Sequence, residues 1–195
     1  MGYTIAVDGP AASGKGTVSR RIAQTLAFGY LDTGRLYRAV GRAMLEGRDP
    51  VEAARTLDTD ALDDAALRAP DVAAQASRVA AMPEVRAALV AFQRAFAARA
   101  GGAVLDGRDI GTVICPDAPV KLFVTAAAEV RADRRWRELC AAGHVAEYAD
   151  VLDDIKARDA RDSERADAPL RPADDADILD TTAMDVDSAV AEALR

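Results

Sequence analysis

The chain contains no asparagine, one histidine, two cysteines and three lysines, and aromatic residues make up only 5% of it. Each scarcity excludes something. Without asparagine, the Asn-Lys-x-Asp motif that reads guanine cannot exist, which removes the usual guanine-nucleotide switch. A lone His144 and two distant cysteines, Cys115 and Cys140, make no ligand cluster, so no metal site built from protein groups is expected. Thiols so far apart fit buried intracellular cysteines better than a disulfide. No apolar run approaches the ~18 residues of a membrane span, and no membrane partner is expected. With so few aromatics, a chain that is 50% hydrophobic must build its core from Ala, Val, Leu and Ile.

The charge is −7 with acid and base interleaved. A nucleic-acid surface needs a clustered basic face, so no nucleic-acid partner is expected. All but three of the 25 basic residues are arginine, and these must act locally. The 195 residues suffice for one α/β domain with inserted lobes. The first strand starts at Tyr3, leaving no room for a leader, and a cytoplasmic monomer is expected.

What is present begins with an apolar run, Tyr3-Thr4-Ile5-Ala6-Val7. It is followed directly by Gly9-Pro10-Ala11-Ala12-Ser13-Gly14-Lys15-Gly16-Thr17 and the helix-forming stretch Val18 to Leu26. Strand, glycine-bounded loop and helix make a phosphate-binding loop. Glycines let backbone N–H groups turn inward around an anion, and the helix dipole points at the same spot. Lys15 adds a charge that can reach the outer phosphates. The common form of this loop places Ser or Thr right after the lysine as a magnesium ligand. Here Gly16 intervenes and the hydroxyl comes at Thr17, the spelling seen in nucleoside monophosphate kinases. Mg2+ is then expected on the nucleotide phosphates and water rather than in a protein cage.

Further strands are predicted at Gly29 to Asp32, Ala103 to Asp106, Val120 to Val124 and Asp177 to Leu179. Helices are predicted at Arg35 to Glu46, Glu84 to Ala98 and Glu129 to Ala142. A last helix runs to Leu194, capped by Asp185 or Asp187. Residues 48 to 82 read as short helices of an inserted lobe. The alternation implies a five-stranded parallel sheet with helices on both faces.

Asp106-Gly107-Arg108-Asp109-Ile110-Gly111 follows a strand immediately and so lies at the ligand-binding carboxyl edge. There Asp106 is placed to orient magnesium-bound water and Arg108 to grip a phosphate. Arg158, Asp162 and Arg165 share one face of a helix, at spacing i, i+4, i+7. Alone they read as a solvated ion-pair face; beside a phosphate loop they read as a closing lid. Arg131, Arg134 and Arg135 read as helix-surface charges, with stacking against an adenine ring open to one of them. No general base is needed if the acceptor is itself a phosphate, whose second pKa of about 6 leaves it nucleophilic at neutral pH. A P-loop kinase with a hydroxyl acceptor would share the fold and first motif, but the missing base counts against it.

Four motifs occur in order. They are Gly9 to Thr17, Leu31-Asp32-Thr33-Gly34-x-Leu36-Tyr37-Arg38, Asp106 to Thr112, and Arg158-Asp159-x-Arg161-Asp162-x-x-Arg165-x-x-x-Pro169-Leu170. Together they closely resemble the bacterial cytidylate kinases, nearly end to end. The resemblance implies a P-loop nucleoside monophosphate kinase fold that makes CDP and dCDP from CMP and dCMP with ATP and Mg2+. It implies a core (about 1–34, 101–142 and 168–195), a monophosphate-binding lobe (about 35–100) and a lid (about 143–167). By the same resemblance, Gly9 to Thr17 binds ATP, and Thr33, Arg38 and Arg108 face the acceptor nucleotide. Ser77, Arg86 and Asp109 read the base, and Arg158, Asp162 and Arg165 reach sugar and phosphates. Lys15, Arg108, Arg158 and Arg165 carry the catalysis. The base reading also has a chemical logic: cytosine offers an amine donor where uracil has a carbonyl, and a carboxylate accepts only from the former. Many relatives carry a small extra β-sheet near residues 57 to 68, for which this chain is too short.

Overall fold

In the computed structural model, which describes residues 2–58 and 66–195, the first apolar run becomes strand β1 (Thr4–Asp8), buried at every position. It lies between β3 (Ala103–Gly107) and β4 (Val120–Thr125), while β2 (Gly29–Asp32) and β5 (Asp177–Asp180) form the edges. The order is β2-β3-β1-β4-β5 and every pairing is parallel. A parallel strand covered on both faces reads as continuous apolar sequence, as β1 and β3 do. The register sets Asp8 beside Gly107 and Asp32 beside Asp106, so three acidic residues end their strands along one edge.

One face is covered by α1 (Lys15–Leu26) and α8 (Val186–Ala193), whose Val18, Ile22, Ala189 and Val190 pack on Ile5, Val7, Val104 and Val124. The other face packs Ala6 and Leu105 against Ile110, Ile114 and Ala97, the last from α5 (Pro83–Ala97). The same α5 joins a second cluster with α2 (Thr33–Leu45), α3 (Pro50–Arg55) and α4 (Pro70–Val79). Leu36, Val40 and Ala43, spaced i, i+4, i+7, form its stripe on α2. A third cluster joins α6 (Ala128–Ala141) to α7 (Tyr148–Glu164) through Ala132, Leu139, Val151 and Ile155, with Ala11 of the phosphate loop against it.

All five expected strands are present: β2 as predicted, β1 shifted by one residue, and the other three one residue longer than the pattern predicts. Helix α2 begins at Thr33 rather than Arg35, because the Asp32 carboxylate accepts from the Arg35 N–H at 3.2 Å and caps it there. Asp185, not Asp187, caps α8. A π-helical turn at Ile110–Ile114 has no counterpart in the sequence pattern. Its first two amides donate to the buried carboxylate of Asp8, Ile110 N to Oδ1 and Gly111 N to Oδ2, both at 2.8 Å. The expected shortening near residues 57 to 68 falls largely on residues 59–65, outside the described residues.

Candidate active site

The phosphate loop owes its shape to two glycines and an alanine in left-handed backbone. Gly9 (φ 151°) passes the Val124 carbonyl so closely that any side chain would collide with it. Ala12 (φ 59°) and Gly14 (φ 89°) then fold the loop into the start of α1. The first N–H groups of a helix have no partner within it. Among the described α-helices, α1 alone has neither a carboxylate cap nor an acidic residue in its first turn. Its positive end is left for an outside anion. Lys15 reaches back to the Pro10 carbonyl at 3.4 Å. Burial, and Arg108 beside it, pull the Lys15 ammonium down to about 7. Ser13 is fully buried and its hydroxyl has no partner.

Arg131 and Arg134 hold this loop from behind. The buried Arg131 donates to the carbonyls of Ala126 (2.8 Å) and Ala11 (3.3 Å) and makes two bonds to Asp159, at 3.0 and 2.6 Å. Arg134 donates to the Ser13 carbonyl at 3.3 Å and to Thr181. Arg131 is thus committed to the loop carbonyl of Ala11, to Ala126 and to Asp159. Arg135 pairs with Glu138 on the surface of α6.

At the carboxyl edge, Tyr30 Oη donates to Asp106 at 2.5 Å, and Arg38 donates to Asp32 at 2.6 Å. Burial and the nearby Asp32 raise the Asp106 carboxyl to about 6. Burial works on Asp32 as well, but Arg38 and Lys15 outweigh it and hold that carboxyl below its usual range. Asp8 is raised to about 7 by burial, against its two backbone donors. The Thr33 hydroxyl donates to the Asp106 carbonyl at 2.7 Å.

One cleft takes in every residue expected to contact the acceptor. At one end lie Ser77, Arg86 and Asp109, with Tyr37 beside them. Arg86 is buried and donates to Asp109 at 2.6 Å and to Asp167 at 2.9 Å. Ser77 is buried with no partner for its hydroxyl. Lys15, Arg38, Arg108 and Arg158 form a second group in the cleft, and Arg165 lies between the two, near Tyr37 and Asp162. Arg108 donates to Asp162 of α7 at 2.9 Å, and Arg158 stands 3.9 Å from the same carboxylate. Burial, with Arg108 close by, lowers Arg158 to about 10. Arg165 is held by the carbonyls of Ala168 (2.5 Å) and Ala80 (3.4 Å). The Nε atoms of Arg38, Arg158 and Arg165 are buried with no hydrogen-bond acceptor. The α7 arginines are therefore not a solvated face.

Sequence reasoning did not single out Asp8, Tyr30 or Asp159, nor the role of Arg131 and Arg134. Their hydrogen-bond partners lie between 14 and 121 residues away, apart from the five-residue contact of Arg131 with Ala126. Local patterns carry no signal for that. Tyr37 stood in a quoted motif, and its burial at i+1 from Leu36 was readable from the helical stripe.

The family model for cytidylate kinase matches residues 5–63 and 51–195 of this chain. A cytidylate kinase of Cereibacter sphaeroides is 61% identical over 195 residues, covering 100% of this chain and 95% of its own length. One from Methylocella silvestris is 59% identical, covering 97% and 91%. Among solved structures, an uncharacterized protein from Eubacterium ventriosum aligns over 100% of this chain and 97% of its own, with TM-score 0.61 at 14% identity. A gluconokinase from Sinorhizobium meliloti aligns over 100% and 91%, with TM-score 0.50 at 20% identity. These two likenesses concern the fold alone.

Proposed function

Since the chain belongs to the cytidylate kinase family and catalyses ATP-dependent phosphorylation of CMP and dCMP, we propose how its own residues divide that work. The acceptor base lies between Asp109, Arg86 and Ser77. The carboxylate takes the cytosine amine, the guanidinium donates to the base's acceptors, and the Ser77 hydroxyl completes the set. Thr33 and Arg38 face the acceptor nucleotide. Its phosphate and the migrating phosphoryl group lie among Lys15, Arg108, Arg158 and Arg165, with Asp162 and Arg165 reaching sugar and phosphates. ATP is held by Gly9 to Thr17.

The observation that carries this reading is the crowding of five cations into one cleft where buried guanidinium nitrogens find no acceptor. Such a cluster is costly without anions and suits a site that gathers several phosphates. The acceptor phosphate is already ionised near neutral pH, so alignment and charge neutralisation suffice and no base is required.

The donor set fits Mg2+ carried in by the nucleotide. Gly16 offers no hydroxyl, and among the described residues no group of three His, Cys, Asp or Glu could cage a metal. Asp106 and Asp32, two crowded acids at the strand ends, would accept hydrogen bonds from the ion's water. When bound, the ion screens phosphate charge.

In this reading residues 1–34, 101–142 and 168–195 form the core, 35–100 the monophosphate-binding lobe and 143–167 the lid. The enzyme works as a cytoplasmic monomer without nucleic acid. No helix among the described residues is long and apolar enough to cross a membrane. The test is a coupled assay with ATP and Mg2+ against CMP, dCMP, UMP, AMP and GMP. CMP and dCMP are expected to be turned over far best; equal or better turnover of AMP or GMP would refute the base assignment.

A further inference from the structure

Arg158 and Asp159 are neighbours on α7, about 100° apart around the helix. They face different halves of the site. Arg158 lines the acceptor cleft. Asp159 turns away from it and takes both terminal nitrogens of Arg131, at 3.0 and 2.6 Å. Arg131 is buried and fully committed: Nε donates to Ala126 just beyond β4, and Nη1 also donates to Ala11 in the phosphate loop. A two-pronged pair of this kind fixes orientation as well as distance.

Two of the polar attachments of helix α7 meet the site. Asp162 ties it to Arg108 on the acceptor side, and Asp159 ties it through Arg131 to the loop that holds the donor. In-line transfer needs donor and acceptor phosphates set against each other within a few tenths of an ångström.

We propose that Asp159 is a positioning residue for the phosphoryl transfer. Through Arg131 it sets α7 on the phosphate loop, so that Arg158 meets the migrating group at the correct place relative to ATP. It rests on the reading of function given above. Asp159 is not among the residues lining the acceptor cleft, so its removal should slow the chemical step more than it weakens acceptor binding. The Asp159 side chain is 27% exposed, which leaves room for water to solvate Arg131 in a variant.

The test is steady-state kinetics on Asp159→Asn, which keeps the shape and removes the charge, with Asp159→Ala and Asp159→Glu alongside. The active fraction is normalised by a circular dichroism melt. A misplacement of this kind is expected to lower kcat by about ten- to a hundredfold. KM for CMP should rise by less than kcat falls, and Asp159→Glu should regain most of the lost kcat. An unchanged kcat, a loss seen only in KM for CMP, a Glu variant no better than Ala, or a loss matched by a smaller folded fraction would each overturn the proposal. If Asp159→Ala does not fold, Asp159→Asn decides alone. Wild-type enzyme inactive on CMP would instead overturn the reading of function beneath it.

Discussion

At the base end of the cleft Arg86 and Asp109 answer one another, whereas at the phosphate end five cations share Asp32, Asp106 and Asp162 and three buried guanidinium Nε donors stay unused. Arg86 is buried, yet Asp109 outweighs that burial and holds its charge more firmly than in water. Asp109 gives Arg86 one oxygen, Oδ2, and a carboxylate can accept further donors. At the other end, Lys15 is pulled down to about 7 and Arg158 to about 10, burial first and neighbouring Arg108 next. The contrast separates two tasks. A pre-paired end has a fixed shape and chooses the ligand. An end short of anions gains most from the ligand's phosphates and supplies affinity and catalysis.

The sharpest break in that contrast is at Lys15. Lys15→Met should lower kcat by ~10²–10³, about 2.7–4 kcal/mol of transition-state stabilisation. Its melting temperature at pH 7 should be no lower than that of the wild type, and near-normal activity in such a folded variant would refute the role. The same variant tests the electrostatics. Folded Lys15 titrates near 7 and its unfolded form near 10.5, so between these values the unfolded chain binds more protons. Stability of the ligand-free wild type should therefore rise from pH 7 to about 8.5, and this rise should shrink in Lys15→Met. Urea melts at the two pH values give the comparison, and parallel curves would count against the shift.

Next comes the base end. Asp109→Ala removes the group that accepts from cytosine and also frees Arg86, so both CMP and UMP should lose turnover. A hydrogen bond to a charged group is worth roughly 1.5–3 kcal/mol, so the ratio of kcat/KM values should move about ten- to a hundredfold toward UMP. A flat ratio would mean that Asp109 only braces Arg86, the one partner the structure gives it.

Ser77 sharpens the contrast from the other side, because it is the exception at the paired end: its buried hydroxyl has no partner. Ser77→Ala should raise KM for CMP about two- to tenfold, the value of one neutral hydrogen bond. The melting temperature should not fall, since no internal bond is lost. A destabilised protein with unchanged KM would assign the hydroxyl to the fold instead.

These residues differ in how readable they were. The phosphate loop was legible because its glycines answer to local needs: Gly9 must pass the Val124 carbonyl, and Gly14 must turn left-handed before α1. Arg108 and Asp109 were legible because a strand end delivers them to the ligand edge. Arg158, Asp162 and Arg165 were legible as one helix face, although periodicity alone favoured a solvated one. The pair of Asp162 with Arg108 and the burial of Arg158 settle that point. What stayed hidden depends on distant contacts. Asp8 reaches across 102 residues to shape the π-helical turn after Asp109. Arg131 and Arg134 look like surface charges until the fold brings the carbonyls of Ala11 and Ser13, some 120 residues away, against them. The start of α2 was misjudged for a smaller reason: Asp32 is both the last residue of β2 and the cap of the helix.

The division between the two ends is tested most directly by calorimetric titration of the wild-type protein with CMP, UMP and cytidine. Cytidine keeps the base and loses the phosphate; UMP keeps the phosphate and changes the base. CMP should bind tightest. UMP should be weakened by the clash at Asp109, and cytidine should be weakened by at least about tenfold for want of the charge-assisted bonds to its phosphate. Cytidine binding as tightly as CMP would contradict the assignment of the five cations to phosphate, and with it the account of the cleft.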